Sequence, residues 1–176
     1  MQTFILRLSR ITLLLITLST FSGCAGYHVG NIQGKQVQGI KRIYVPIVKN
    51  QTYVPDIETE VTNAILRKID NDGTYESSRS KNADAILEVT VTEIKKVPTR
   101  RSNLNLQLVE QYQVNLQVKA TFTNLRTGQR IFTDKVIQGS TLMLVQDDPV
   151  EGERQAIPSA ADDMAANLVS LISEGW

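Results

Sequence analysis

Residues 111–123 read QYQVNLQVKATFT, and their strict alternation decides the fold. Tyr112, Val114, Leu116, Val118, Ala120 and Phe122 fall on one side of an extended chain; Gln111, Gln113, Asn115, Gln117, Lys119, Thr121 and Thr123 fall on the other. A period of two with one apolar and one polar face marks a strand buried on one side only. Residues 124–129 (NLRTGQ) then supply a hairpin turn, with Gly128 able to take a positive φ. The next strand, expected over 130–139, therefore returns antiparallel. Its apolar residues Ile131, Phe132, Val136 and Ile137 alternate imperfectly and leave its facing open. Upstream, residues 83–97 show the same alternation, with Ala85, Leu87, Val89 and Val91 set against Ile86, Glu88, Thr90 and Thr92.

Two helices bracket these strands. Ile57, Val61, Ala64, Ile65 and Ile69 recur at spacings of three and four, the stripe of a helix with one buried face. Pro55 suits its first turn. Asp56, Glu58 and Glu60 lie where the helix dipole favours anions, Arg67 and Lys68 where it favours cations. Asn71-Asp72-Gly73 supplies the stop. Near the C-terminus, Ala156, Ile157, Ala160, Ala161, Met164, Ala165, Leu168, Val169 and Ile172 form the apolar face of a second helix, which Pro158 either opens or kinks in its first turn. Residues 40–48 are β-favouring, but Pro46 has no N–H to give an interior ladder, so this first strand lies at a sheet edge or ends near Pro46. Asn50-Gln51-Thr52 reads as a turn, and the polar stretch 74–82 as a connection. The expected fold is α+β: a two-layer sandwich in the order β-α-β-β-β-α, two helices on one face of a four-stranded, mostly antiparallel sheet. The other face, rich in Gln, Thr and Asn, would meet solvent or a partner.

The N-terminus has a different character. Arg7 and Arg10 precede an apolar run from Ile11 to Phe21, and no acidic residue occurs before Asp56. A cationic start, a short apolar run and a small-residue exit make a secretory signal; a spanning helix would need about 20 apolar residues. The only cysteine, Cys24, stands at the exit. Ser22-Gly23-Cys24 resembles the lipobox of bacterial lipoproteins, with Phe21 where Leu is usual; the plainer alternative is an ordinary signal beside an incidental thiol. The lipobox resemblance implies cleavage before Cys24 and acylation of it. One acyl chain would hold a membrane only reversibly, and two or three hold it stably. The expected organisation is a signal over 1–23, a lipid-anchored tether over 24–39 and one domain over 40–176. The tether carries Gly26, Gly30, Gly34 and Gly39, and Ala25, rather than Asp, follows the cysteine, which by the same resemblance points to the periplasmic face of the outer membrane.

Composition removes several function classes. The chain has 19 basic and 18 acidic residues, and without the two signal arginines the balance is 17 to 18, or −1. A near-neutral domain has no overall field to draw in nucleic acid. One histidine (His28, in the tether) and one cysteine leave a transition metal almost without ligands. Asp147, Asp148, Glu151 and Glu153 do not have the spacing of an EF-hand loop and read as a solvated acidic lead-in to the last helix. Asp84 and Glu88 have no histidine or second acid pair beside them in the expected fold, so a hydrolase has little support. No phosphate loop or nucleophile elbow is present, and no cofactor is expected.

The lipobox with Gly23-Cys24-Ala25-Gly26-Tyr27, the run Ile43-Tyr44-Val45-Pro46 with Asn50 and Thr52 after it, Pro55-Asp56-Ile57-Glu58 opening a helix, Ala83-Asp84-Ala85-Ile86-Leu87 opening a long strand, and the Ala/Leu-rich last helix together resemble the LPS-assembly lipoprotein family LptE. That resemblance implies an outer-membrane lipoprotein that plugs the LptD-type β-barrel translocon, helps assemble it and assists lipopolysaccharide delivery, with no covalent chemistry. Lys95, Lys96, Arg100 and Arg101 lie within seven residues in the expected connection between the second and third strands. Guanidinium and ammonium groups suit the phosphates and carboxylates of lipopolysaccharide, and the alternative for these four is a solvated basic loop that discourages edge pairing. The alternative function is another periplasmic envelope-assembly lipoprotein, accessory to a secretion pore or a cell-wall synthase. A pore subunit would need a spare amphipathic hairpin and a synthase activator a long linker; the tether of about 15 residues reaches roughly 50 Å at most.

Overall fold

The alternating stretches become three long strands, joined by three short ones and two helices. In chain order these are β1 (Arg42–Tyr44), β2 (Lys49–Asn50), α1 (Ile57–Asp72), β3 (Glu76–Ser78), β4 (Ala85–Arg101), β5 (Val109–Asn124), β6 (Arg130–Leu144) and α2 (Pro149–Glu174). The computed structural model describes residue 37 and residues 39–80, 82–102, 108–145 and 149–174. The expected signal over 1–23, Cys24, the tether residues Tyr27, His28 and Val29, and also Asp147, Asp148 and Trp176, lie outside the described residues.

The α+β class and the two helices stand, but the sheet does not match the expectation. It is six-stranded and mixed, ordered β3-β1-β4-β5-β6 with β2 also joined to β4. β1 runs parallel to both β3 and β4, and β2 parallel to β4. Only the β4–β5–β6 meander is antiparallel. A parallel pair needs a crossover, and α1 lies between β1 and β4 in the chain. β3 falls inside the stretch 74–82 read as a connection. It is three residues long and polar, so no periodicity reveals it; backbone pairing with β1 makes it a strand, and Glu76 N–H also donates to Lys41 C=O at 2.8 Å. Of the expected strand over 40–48 only Arg42–Tyr44 is strand, and Lys49–Asn50, beyond its expected end and partly in the expected turn, pairs with β4 as β2. β1 stops at Tyr44 and lies inside the sheet, so the chain takes the second of the two options Pro46 left open.

One face of the sheet carries the core. Ala85, Leu87, Val89 and Val91 of β4 and Val114, Leu116, Val118, Ala120 and Phe122 of β5 are buried, in the phase the alternation predicts. Ile57, Val61, Ala64, Ile65 and Ile69 of α1 are all buried, and Gly73 ends that helix at φ 74 with its N–H on Ile69 C=O. Pro55 precedes α1 rather than entering its first turn, and Asp56 takes the N-cap position at φ 60 without a side-chain cap. α2 starts at Pro149, so Pro158 lies in its interior instead of opening it or kinking its first turn. Arg67 joins Asp162 at 2.8 Å across the two helices, and Tyr75 O–H donates to Ile172 C=O at 3.2 Å.

Gly139 sets how closely α2 approaches. A Cβ there would stand 2.2 Å from the backbone N of Met164 and 2.4 Å from the carbonyl O of Ala160. Strand backbone and helix backbone therefore touch, with the buried Ala160, Ala161 and Ala165 as the small residues of that helix face. Among the described residues no helix covers the opposite side of the sheet. It carries a polar ladder in which Gln138 Nε2 donates to Gln117 Oε1 at 3.0 Å and Gln117 Nε2 donates to Thr92 Oγ1 at 3.2 Å. This open face is the first feature bearing on function.

Candidate functional site

Beyond Val91 the β4–β5–β6 meander continues as a three-stranded arm. On the β2 side the last backbone bond is Gln51 N–H to Val91 C=O at 3.0 Å, so among the described residues β4 is an edge strand from there onward. The second strand, expected to end at Val97 with the connection around Lys95–Arg101, runs on through Arg101. β5 pairs with it through Arg101↔Val109, and proline is tolerated at position 98 because edge strands accept it.

Three irregularities in the ladder distribute the four expected cations. The register shifts between Val91 and Glu93, after which Ile94, Lys96 and Pro98 stand opposite Leu116, Val114 and Tyr112 on the helix side. Lys95 and Val97 stand opposite Asn115 and Gln113 on the open side. A second shift between Pro98 and Arg100 sets Arg100 opposite Gln111, again on the open side, and a third precedes Arg101. The four are therefore not one cluster. Lys96 turns to α2 and ion-pairs with Glu153, which gives that acidic lead-in residue a structural role. Lys95 pairs with Glu93 at 2.6 Å and Arg100 with Glu110 at 3.2 Å, all four side chains well exposed. Arg101 is exposed at the arm's end. Exposed ion pairs are worth about 0–1 kcal/mol, so Lys95 and Arg100 can exchange their carboxylates for a phosphate oxygen at little cost.

The sequence reading missed the apolar half of this surface. β6 runs on to Leu144 instead of ending at 139, which sets Leu142 across from Gln113 and Leu144 across from Gln111. Two cross-strand rows result, Val97–Gln113–Leu142 and Arg100–Gln111–Leu144. Val97 is 44% exposed, Leu142 62% and Leu144 51%. Val136, Gln138, Ser140, Leu142 and Leu144 share one parity, and extending that period past Gly139 would have revealed the site. The arm therefore offers cations and bare aliphatic groups on one face.

Asp84 anchors the sheet's other end. It is buried, and its carboxylate accepts the N–H groups of Lys41 and Arg42 at 2.9 Å each and both Nε and Nη2 of Arg126, at 3.0 and 2.5 Å. The bonds from the Arg42 and Lys41 backbone, helped by the Arg126 guanidinium, hold its pKa down at about 2. A carboxylate held ionised by four donors ties the start of β1 to the β5–β6 turn; it is not poised to move protons. Glu88 is exposed on the open face. Among the described residues, no group of three His, Cys, Asp or Glu side chains comes together to hold a metal, and no helix is long and apolar enough to cross a membrane.

The fold is similar to a crystal structure of a Xanthomonas campestris protein at 9% identity and TM-score 0.55, over 74% of this chain and 81% of that one. An uncharacterized lipoprotein B from Nitrosomonas europaea aligns at 12% identity and TM-score 0.47, over 77% and 81%. A minor lipoprotein from Acinetobacter baumannii aligns at 20% and 0.41, over 76% and 93%. At these identities the likeness concerns the fold alone. No curated protein sequence matches the chain. Residues 40–172, almost the whole described domain, match the family model LptE, lipopolysaccharide-assembly, and the chain therefore belongs to the LptE family.

Proposed function

We propose that this chain is an outer-membrane lipoprotein, acylated at Cys24 and held at the periplasmic face, whose open sheet face sits in the polar lumen of an LptD-type β-barrel. The observation that carries this reading is the asymmetry of the sheet. One face is sealed by two helices, while the other is a ladder of Gln117, Gln138, Thr92 and their neighbours with no helix over it among the described residues. The interior of an outer-membrane barrel is polar, so the Gln- and Thr-bearing part of this face enters without stranding apolar area. Membership of the lipopolysaccharide-assembly family supports the same reading. The role is to fit and to bind rather than to make or break covalent bonds.

The arm contacts lipopolysaccharide. Lys95 and Arg100 meet its phosphates, Val97, Leu142 and Leu144 border the acyl region, Arg101 extends the basic end, and Lys96 holds the arm to α2. Purifying the native lipoprotein from detergent-solubilised outer membranes tests the partner: a large β-barrel at one-to-one stoichiometry is expected, and its absence would overturn the plug. Lys95→Glu with Arg100→Glu should lower lipopolysaccharide binding in vitro by tenfold or more, a loss of about 1.4 kcal/mol or above. Unchanged binding would remove the arm from the site.

A further inference from the structure

Among the described residues β6 is the last strand of the sheet, fifteen residues long, without proline, and paired on one side only. Its exposed side chains include Val136, Leu142 and Leu144. A long apolar edge of this kind is a template for another strand. The chain's formal net charge of +1 gives two copies little repulsion to keep them apart. Along the middle of the edge, however, strand-pairing groups are already taken. Asp163 Oδ2 of α2 accepts the N–H of Ser140 at 2.8 Å, and Asn167 Nδ2 donates to the C=O of Gln138 at 2.8 Å.

The spacing explains how a helix can do this. Residues four apart on a helix rise about 6.0 Å, and residues two apart on a strand about 6.6 Å. An acceptor and a donor at helix positions 163 and 167 therefore match an N–H and a C=O at strand positions 140 and 138, in the antiparallel sense. Gly139 lies between the two bonded residues, and the missing Cβ lets the Met164 backbone come close enough for both side chains to reach. Asp163 and Asn167 do for β6 what a seventh strand would do.

We infer that Asp163 and Asn167 are edge guards, and that the surface they mask fits β6 of a second copy of this chain. With both in place the free edge is reduced to its ends, too short to hold a partner strand. Without them the bonding groups from Val136 to Leu144 become continuous, and two β6 strands pair about a two-fold axis. This inference is independent of the barrel and lipopolysaccharide reading.

The test is the full chain in mild detergent, its protein mass read by light scattering corrected for bound detergent. The wild-type chain should be monomeric. Asp163→Ala with Asn167→Ala should double the mass while leaving the circular dichroism spectrum unchanged, and adding Leu142→Lys at the exposed edge should restore the monomer. A folded double variant that stays monomeric overturns the inference, as does a dimer that survives Leu142→Lys. Hydrogen exchange on the wild-type chain gives a second reading that needs no variant: the Ser140 amide should be protected although it faces away from β5. Exchange at the rate of an open amide would overturn the guard.

Discussion

Replacing Gly139 by alanine adds one methyl group where β6 passes beneath α2, and the structure sets the size of the penalty. The new Cβ would stand 2.2 Å from Met164 N, 2.4 Å from Ala160 O and 2.6 Å from Met164 Cα. Relaxed contacts begin near 3.5 Å, so strand and helix must separate by about 1.3 Å. All three obstacles are backbone atoms, which no rotamer change can move aside. α2 itself is held by Met164, Ala165, Leu168 and Ile172, all buried, so it must shift as a body and loosen its seat. Overpacking costs about 1–3 kcal/mol, and a rigid obstacle puts this change at about 3 kcal/mol. For a chain of this size that lowers Tm by roughly 6–12 °C in a calorimetric or dichroism melt. Gly139→Val should fall further. Gly73→Ala serves as a contrast: that site has no atom within 4 Å of the added Cβ, and its positive φ costs about 1–2 kcal/mol. If Gly139→Ala melted within a degree or two of wild type, or no lower than Gly73→Ala, the backbone contact between β6 and α2 would be refuted.

Asp84→Ala should cost about 1–3 kcal/mol, because it leaves two backbone donors and the Arg126 fork without their acceptor. Since the folded pKa is held near 2 against an ordinary 3.8, this carboxylate's contribution is whole above pH 3.8 and lost as pH falls toward 2; acid unfolding of Asp84→Asn should lack that part of the pH dependence. Asn50 accepts from Thr52 N–H and O–H and donates to Val54 C=O and Glu58, fixing the loop before α1. Asn50→Ala should therefore lose about 1–2 kcal/mol in urea unfolding, and an unchanged midpoint would deny that network a role. Cys24→Ala should release the mature protein from the membrane fraction, and mass spectrometry of the wild-type N-terminus should show acyl chains; an unmodified Cys24 would end the lipoprotein reading.

Side-chain periodicity is local, and whatever depends on it was legible before the fold was known. The alternation at 111–123 gave β5 its buried phase, the stripe from Ile57 to Ile69 gave α1, and Gly73 gave its end. The cations at 95, 96, 100 and 101 were visible as a run, and Asn50 and Thr52 as turn and motif positions. Tertiary structure decided what backbone partners supply. β3 exists because Lys41 and the β1 backbone are beside it; its own polar residues carry no strand pattern. The bulges after Val91 and Pro98 shift the pleat against β5, and that shift, rather than any residue type, sends Lys96 to Glu153 and leaves Lys95, Val97 and Arg100 on the open face. Asp163 and Asn167 read as ordinary solvated helix positions until β6 is placed beside them. A side chain's identity fixes its chemistry, but the direction it faces depends on a register agreed between strands far apart in sequence, and only the folded chain holds that agreement.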